Sequence, residues 1–299
     1  MPPFSAVDTR RARAAVMVKV RALPVARNYP GTYVAATTLG WRLRPDAEAL
    51  RSTVVFVGHP RSGHSLVGAL LDAHPDVVVA HEADLLKYVA AGFGRDQLIA
   101  LLVRRERERV AAGHVSGSGY TYAVPDQWQG RYRRLSVVGD KKGGRTTLRL
   151  ADEPDLLDRL ASATGVPVRV VQVVRNPWDN IATMASRAPR RSLADHVDLY
   201  FEMAGTVDAV RAVVPAERFH ALRHETLVAD PRGTVAALCR FLDVPVEPDH
   251  LAACASVVFP VPRRTRDGVD WPDDVRQSVV ERADRHSWLD AYRVGEDGP

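Results

Sequence analysis

The sequence predicts an α/β fold, a single domain with a central, mostly parallel sheet flanked by helices. Short valine-rich runs, at residues 53–57 and 168–174, are typical of strands that are buried on both faces. Helical patterns follow these runs, and this alternation implies βαβ crossovers. The chain has 299 residues, 46% of them hydrophobic, and no linker rich in Gly, Ser or Pro divides it, so it can bury one large core.

Residues 1–50 are predicted to form a peripheral N-terminal segment, and residues 51–299 the main domain. The segment is expected to hold an amphipathic helix at about residues 10–23 and then a loop that contains Pro, Gly, Thr and Tyr. The main domain begins with the strand at 53–57, followed by a glycine-bounded loop. A helix over 64–73 comes next, and His74-Pro75-Asp76 ends it.

The remaining elements are predicted from hydrophobic periodicity and from Gly and Pro breakers. Strands are predicted at 77–80, 135–139, 168–174 and 219–223. Helices are predicted at 83–91, 95–112, 154–164, 177–186, 192–213, 231–242 and 273–286, and long loops at 113–133 and 259–271. Because parallel sheets bind ligands beyond the carboxyl ends of their strands, the residues that follow each strand are the first candidates for a site.

The loop after the first strand is predicted to bind a phosphate or sulfate group. Residues 58–65 read Gly-His-Pro-Arg-Ser-Gly-His-Ser and lead into a helix, so backbone N–H groups and the positive end of a helix dipole converge there. The segment nearly matches the nucleotide-binding pattern G-x-x-x-x-G-K-[ST], but His64 stands at the lysine position. This departure argues against an ordinary ATP or GTP site and favours a related anionic donor.

A second anion-binding group is predicted where the strand 168–174 ends. Arg175 follows this strand, Pro177 opens the next helix, and Thr183 lies about two helical turns beyond the arginine. A guanidinium makes planar contacts with a tetrahedral oxyanion, and a hydroxyl adds a directed hydrogen bond. Alone, Arg175 is equally well read as a salt bridge at a helix start. Together with the first loop, it favours a phosphate site.

Four blocks of the sequence, in order, resemble sulfotransferases that use 3′-phosphoadenosine 5′-phosphosulfate (PAPS). Residues 60–65 resemble the family's 5′-phosphosulfate loop, and Arg175-Asn176-Pro177-x-Asp179 with Thr183 resembles its 3′-phosphate motif. Residues 222–242 resemble its Tyr-Glu-x-Leu, Asp-Pro and Phe-Leu stretch, and residues 263–271 its C-terminal basic segment. The resemblance, to a bacterial-type member, implies a P-loop-like sulfotransferase fold, PAPS as donor, 3′-phosphoadenosine 5′-phosphate (PAP) as product, and no metal.

The resemblance also assigns residues to donor binding and to catalysis. Donor binding falls to ten residues: Arg61, Ser62, Gly63, His64, Ser65, Leu66, Arg175, Thr183, Arg263 and Arg264. Residues 71–76 followed by Glu82 look closer to the carbohydrate and tyrosylprotein branch, in which a glutamate at this place is the catalytic base. Glu82 therefore ranks first as the base, His64 second and His81 third. Lys141 or Lys142, after the strand at 135–139, is expected to reach the bridging oxygen or the transferring sulfonate.

Three other functions fit parts of the sequence. A P-loop kinase or nucleotide hydrolase needs a lysine at position 64, but this chain has His64 there. It also needs a carboxylate for Mg²⁺, which Asp140 would supply. The set Arg61, Glu82, Lys141 and Arg175 argues against a non-catalytic protein that kept the fold. Nucleic-acid binding through residues 263–266 is disfavoured because the net charge is only +5 and aromatic residues make up only 7% of the chain.

Composition bears on the location and the partners. The two cysteines, Cys239 and Cys254, have no metal-ligand spacing, which predicts reduced thiols and a cytoplasmic protein. No stretch has the ~18 continuous apolar residues of a membrane span, and the N-terminus does not resemble a secretory signal, so stable membrane insertion is not expected. The expected acceptor is a small molecule, lipid or saccharide. The loop residues Tyr120, Tyr122, Trp128 and Tyr132 would either stack on it or pack within the protein.

Overall fold

The computed structural model describes residues 29–113 and 121–292 and confirms the predicted α/β architecture. One five-stranded sheet has the order β2-β3-β1-β4-β5, and every neighbouring pair is parallel. The strands are β1 (Ser52–Val57), β2 (Val77–Ala80), β3 (Val137–Asp140), β4 (Val168–Val174) and β5 (Phe219–Arg223). All five strands therefore end at the same edge of the sheet.

The central strand β1 is buried along its whole length and pairs with β3 on one side and β4 on the other. Its residues alternate between two buried clusters, one on each face of the sheet. Val55 and Val57 belong to one cluster, and Val54 and Phe56 to the other. A run of β-branched and aromatic residues without polar alternation suits a strand that is covered on both faces.

Helices pack on both faces of the sheet within the described residues. They are α1 (Pro30–Ala47), α2 (His64–Asp72), α3 (Leu85–Ala90), α4 (Arg95–Ala111), α5 (Gly143–Asp152), α6 (Leu156–Thr164), α7 (Pro177–Arg187), α8 (Leu193–Val213), α9 (His224–Ala229), α10 (Pro231–Phe241), α11 (Pro248–Ser256) and α12 (Asp273–Ala283). Short 3-10 helices occur at residues 216–218, 265–268 and 287–292. In residues 29–113 and 121–292, no helix combines the length and the apolar character needed to span a bilayer.

The loop predicted before residue 50 is wrong, because residues 30–47 form helix α1. Pro30 occupies its first position, where the missing N–H has no intrahelical acceptor to lose. The helix packs along α4, and Gly40 permits this approach since an added Cβ would lie 2.7 Å from the Asp96 carbonyl oxygen. The amphipathic helix predicted at residues 10–23 lies outside the described residues.

Three short helices, α5, α9 and α11, were not predicted. Gly143 and Gly144 form the first turn of α5. An added Cβ would lie 2.3 Å from the His64 ring at Gly143 and 2.8 Å from Pro60 at Gly144, so close packing against the first loop requires both glycines. The other predicted helices and strands within the described residues are confirmed, with boundaries that shift by a few residues.

The contact between β1 and β3 provides a stability test. An added Cβ at Gly139 would lie 2.3 Å from both the side chain and the carbonyl oxygen of Val54, and backbone cannot move away cheaply. We expect Gly139→Ala to lower the free energy of unfolding by about 1–3 kcal/mol in urea denaturation. The matched control is Gly205→Ala on the exposed face of α8, where nothing lies within 4 Å of an added Cβ. This control should be neutral or stabilise by up to about 1 kcal/mol, and equal effects of the two changes would contradict the packing argument.

Candidate active site

Segments that follow all five strands meet at the carboxyl edge of the sheet and line one cleft of about 1010 Å³. They include Pro60, Arg61 and residues 63–66 after β1, 81–82 after β2, 141–145 after β3, Arg175 with residues of α7 after β4, and His224 with Val228 after β5. Residues 121–122, 257–263 and Thr265 complete the described walls, whereas Ser62 of the first loop is not among them. The sequence therefore correctly indicated this edge of the sheet as the place where candidate residues gather, and the volume is in the range of pockets that enclose a small ligand.

The loop between β1 and α2 has the geometry of an anion cradle. Gly63 precedes the helix with a left-handed φ of 105°, and Arg61 adopts a left-handed φ of 71°. Asn180 Nδ2 donates to the Pro60 carbonyl at 2.9 Å, and Arg175 donates to the Arg61 carbonyl at 3.2 Å, so these carbonyls are tied back to α7 and β4. N–H groups in the first turn of a helix have no acceptor within it, which suits them to an anion in the cleft.

His64, the first residue of α2, is buried and has a fixed ring. Its Nε2–H donates to the Val57 carbonyl at 3.0 Å, and the ring packs edge-on against Phe56. The hydroxyl of Ser62, itself buried, lies 3.3 Å from Nδ1. Burial, and after it the nearby ammonium of Lys141, lowers the pKa of His64 to about 3. His64 is therefore neutral near pH 7, and this geometry favours a role in shaping the loop.

Two predicted donor residues show different contacts within the same helix. The N–H of Leu66 donates to the Gly63 carbonyl at 3.0 Å and is thus engaged inside the first turn of α2. The hydroxyl of Ser65 accepts a hydrogen bond from Lys141 Nζ at 2.9 Å. Both side chains line the cleft. The two residues thus contribute side chains to the site, and Ser65 links the loop to β3.

Arg175 joins three segments at the end of β4. Its guanidinium donates to the Arg61 carbonyl, to Thr183 Oγ1 at 3.1 Å and to the Arg263 carbonyl at 2.8 Å. Thr183 Oγ1 lies 2.9 Å from Thr265 Oγ1. The predicted pair of Arg175 and Thr183 is therefore brought together beside the first loop, with backbone and hydroxyls of the 263–265 segment added to it.

A buried ion pair holds that C-terminal segment in place. The guanidinium of Arg266 lies 3.2 Å from one carboxylate oxygen of Asp179, and the backbone N–H of Arg266 donates to the other oxygen at 3.0 Å. The pair fixes the turn at 265–268 against the start of α7. Arg263, just before this turn, lines the cleft, but Arg264 is exposed and its guanidinium lies 3.2 Å from Asp267. Of the two arginines in this C-terminal segment that were predicted to bind the donor, the structure brings only Arg263 into the described lining.

Glu82, which also lines the cleft, is held by two lysines. Lys141 Nζ lies 3.1 Å from Glu82 Oε1, and Lys142 Nζ lies 2.9 Å from Oε2. The side chain of Lys141 is almost fully buried, whereas that of Glu82 is 49% exposed. Burial by itself raises the pKa of Glu82, but the two ammonium groups outweigh it and lower that pKa to about 2. Glu82 is therefore an ionised carboxylate at neutral pH.

Asp140, at the end of β3, shapes the loop that presents Glu82. One carboxylate oxygen accepts the Ala83 N–H and the other accepts the Leu85 N–H, both at 2.8 Å. Between β2 and these anchors, Glu82 takes a left-handed φ of 58°. Since both oxygens of Asp140 accept hydrogen bonds from the backbone, this carboxylate has the role of a loop anchor in the structure.

The aromatic residues of the long loop are only partly at the cleft. Tyr122 lines it, and Tyr120 lies outside the described residues. Trp128 packs against the Arg131 guanidinium, and the Tyr132 hydroxyl donates to Asp46 at 2.6 Å. Neither Trp128 nor Tyr132 belongs to the described lining of the cleft. The structure therefore favours a packing role for these two residues.

Several lining residues were missed from the sequence. Arg145 and Arg187 project from the ends of α5 and α7, and the apolar run 257–262 precedes Arg263. His224 lies so close to Gly63 that an added Cβ at Gly63 would be 2.5 Å from the His224 ring. The run 257–262 carried a signal, because it reads Val-Val-Phe-Pro-Val-Pro, without a polar residue, directly before Arg263-Arg264. Phe259 and Val261 remain 69% and 72% exposed.

The cleft is strongly cationic. Its described lining holds seven basic residues, Arg61, Lys141, Lys142, Arg145, Arg175, Arg187 and Arg263, and one carboxylate, Glu82. Seven positive charges less one negative charge give a formal +6, which exceeds the +5 of the whole chain. The basic bias of the sequence is thus concentrated where an anionic ligand would bind.

A separate buried cluster has the composition of a metal site but the hydrogen bonds of a packed core. Ligand atoms of His74, Cys239 and His250 lie within 4.8 Å of one another. His74 Nε2 lies 2.8 Å from the Pro245 carbonyl, and its Nδ1 accepts the Asp76 N–H at 3.0 Å. Both nitrogens of His74 are therefore in use, and burial raises the pKa of the Cys239 thiol to about 12. We interpret the cluster as structural.

Comparison with known proteins confirms the resemblance predicted from the sequence. Residues 167–248, from the start of β4 into α11, match the model of the sulfotransferase family. This match, over 82 of the 299 residues, and the α/β fold are both consistent with the resemblance to sulfotransferases. No curated protein matches the chain.

Solved sulfotransferase structures resemble this chain at low sequence identity. The sulfotransferase domain from the olefin synthase of Synechococcus PCC 7002 has a TM-score of 0.51 at 16% identity, over 79% of this chain and 94% of that one. A sulfotransferase from Alicyclobacillus acidocaldarius has a TM-score of 0.44 at 18% identity, over 80% and 95%. A mouse sulfotransferase complexed with PAP has a TM-score of 0.42 at 11% identity, over 85% and 92%. The first of these likenesses supports the fold.

The loop anchor at Asp140 can be tested directly. In Asp140→Asn, one oxygen is replaced by an NH₂ group that cannot accept the Ala83 or Leu85 N–H, so a buried donor loses its partner. We expect the free energy of unfolding to fall by about 1–3 kcal/mol in chemical denaturation. Asp126→Asn, at an exposed loop position with a left-handed φ of 57° that Asn tolerates, should leave stability unchanged. An Asp140→Asn protein as stable as this control would contradict the anchoring role.

Proposed function

We propose that this protein transfers a sulfuryl group from PAPS to a hydroxyl or amine of a small-molecule, lipid or saccharide acceptor, with Glu82 as general base. The observation that carries the proposal is that two anion-binding groups share one cleft with an ionised carboxylate. One group is the start of α2 with Lys141, and the other is Arg175 with Thr183. A nucleotide with a 5′-phosphosulfate and a 3′-phosphate offers two anions on one ribose, which suits this pair.

The residues of the cleft fit such a donor. The 3′-phosphate of the donor carries about −1.5 to −2 charges near pH 7, the 5′-phosphosulfate is also anionic, and the formal charge of the cleft lining is +6. His224 Nδ1 is buried without a hydrogen-bond partner in the described structure, so it is available to a polar atom of the nucleoside. Gly63 keeps the first loop and the His224 ring close together, and a side chain there would fill that space.

The proposed reaction uses few residues. When bound, PAPS supplies an electrophilic SO₃ group whose leaving group is the 5′-phosphate. Glu82 takes the proton of the acceptor O–H or N–H as that oxygen or nitrogen bonds to sulfur, and the bond from sulfur to the 5′-phosphate oxygen breaks. The N–H groups at the start of α2 and the Lys141 ammonium stabilise the charge left on that phosphate. The products are the sulfated acceptor, PAP and one proton, which Glu82 returns to solvent.

Exposure and hydrogen bonding support the ranking of Glu82 before His64 as base. Glu82 is ionised and 49% exposed to the cleft. Burial lowers the pKa values of His64 and His81 to about 3, and His64 already donates its Nε2–H to Val57. The cytoplasmic location, the absence of a metal, the carbohydrate and tyrosylprotein branch and the domain boundary at residue 50 stay predictions.

Nucleotide preference tests the proposal against the kinase alternative. We expect calorimetry to show PAP binding without metal and much weaker binding of ATP with Mg²⁺. The kinase reading requires Mg²⁺ near Asp140, whose two oxygens instead accept backbone N–H groups. A clear preference for ATP with Mg²⁺ would overturn the sulfotransferase proposal and favour a phosphotransferase.

The 3′-phosphate site gives a second prediction. Arg175→Ala removes the buried guanidinium and should weaken PAP binding by about 100-fold, in line with the 1.5–3 kcal/mol of a hydrogen bond to a charged group. Arg264→Ala is the matched control, because Arg264 lies in the same basic segment as Arg263 but outside the described lining. It should bind PAP like the wild type. Equal losses in both variants would contradict the placement of the site.

The base gives a third prediction. Glu82→Gln keeps the size of the side chain but cannot accept the proton, so turnover should fall by about 10²–10⁴-fold while PAP binding is retained. The measurement is the rate of PAP release with an acceptor that the wild type uses. Turnover within a factor of a few of the wild-type rate would exclude Glu82 as the base.

A further inference from the structure

Glu82 is a weak proton acceptor in the geometry described above, because an ammonium group holds each of its oxygens. The pKa of about 2 makes it ionised but also poorly basic. The two lysines contact more than Glu82. Lys141 Nζ also donates to Ser65 at the start of α2, and both lysines line the same cleft. The lysines are thus shared between the proposed base and the proposed donor site.

We propose that the donor and the Glu82 carboxylate compete for Lys141 and Lys142, so that donor binding frees the base and the ionised base weakens donor binding. This inference rests on the proposed function. Lys141 Nζ has three N–H donors, of which Ser65 and Glu82 accept two in the structure. A donor anion at the start of α2 takes the third or displaces Glu82, and its negative charge repels the carboxylate in either case.

The coupling is reciprocal, because two ligands that share a partner must affect each other's affinity equally. A bound anion draws the ammonium groups away from Glu82 and makes the carboxylate more basic when an acceptor is to be deprotonated. After transfer, Glu82 carries the acceptor's proton and no longer competes for the lysines. Loss of that proton to solvent restores the competition and favours release of PAP. The arrangement thus places the donor before the acceptor in the binding order.

Lys142 has a narrower role in this scheme. Its Nζ contacts Glu82 Oε2 at 2.9 Å at the rim of the cleft, whereas Lys141 is almost fully buried beside Ser65. Lys142 is therefore a positioning residue that holds the carboxylate from the solvent side. Its removal should weaken the effect of Glu82 on the donor without removing the buried ammonium.

The test is PAP affinity, measured by calorimetry without metal or acceptor. Removing the Glu82 charge in Glu82→Gln should tighten PAP binding by about 5-fold or more, the lower end of typical coupling between sites. Asp84→Asn is the matched control. It removes the same charge two residues away, from a carboxylate that pairs with Arg149 at 2.7 Å outside the described lining, and Asn tolerates its left-handed φ of 59°. It should leave the affinity within about 2-fold of wild type, well short of that coupling.

The outcomes separate the two proposals. Two results would overturn the competition but leave the proposed function standing. In one, the wild type binds PAP and Glu82→Gln binds it no more tightly. In the other, Asp84→Asn tightens PAP binding as much as Glu82→Gln does. No PAP binding by the wild type overturns the proposed function, and the competition with it. In a Lys142→Gln background, the gain from Glu82→Gln should shrink, and an undiminished gain would exclude the role given to Lys142. Glu82→Ala provides a second charge-free variant if the glutamine variant does not fold.

Discussion

The hydrogen bonds of Arg175 are the constraint on which the proposed donor site depends. This buried guanidinium donates to the Arg61 carbonyl of the first loop, to Thr183 on α7 and to the Arg263 carbonyl of the C-terminal segment. All three partners are neutral oxygens, and a buried charge is costly unless an opposite charge compensates it. Burial accordingly lowers the pKa of Arg175, even though Asp179 and Glu225 raise it. The contact therefore both assembles three distant segments and leaves a cation whose natural complement is an anion in the cleft.

Charges are paired differently around Arg175 and around Glu82. At Arg175 a cation is held by neutral groups, so an anion can bind without displacing a protein carboxylate. At Glu82 two ammonium groups already have a carboxylate partner, and a second anion must share them. The surroundings of Arg175 therefore suit the binding of a phosphate. The surroundings of Glu82 suit a step in which a bound anion and the carboxylate pair with the same ammonium groups in turn.

Much of this arrangement could be predicted from the sequence because it depends on local patterns. The loop at 58–65 and Arg175 follow valine-rich strands, and parallel strands bring their carboxyl ends together whatever the rest of the chain does. The helix that begins at Gly143-Gly144 could not be predicted in this way. Its glycines are required by contacts with Pro60 and His64, which lie about 80 residues earlier in the chain. Likewise, nothing local distinguishes Arg263, which lines the cleft, from Arg264, which pairs with Asp267.

The same distinction explains why the donor can be inferred more closely than the acceptor. The donor groups lie directly after β1, β3 and β4, so the hydrogen-bonded sheet fixes their relative positions. The remaining walls, residues 121–122 and 257–262, belong to connections whose path the sheet does not determine. Tyr122 is held there through its carbonyl, which accepts from Gln129, and Phe259 is 69% exposed. Substitutions in these connections alter the shape and polarity of the cleft without touching the strands. Under the proposed function, acceptor preference can therefore change while the proposed donor site stays the same.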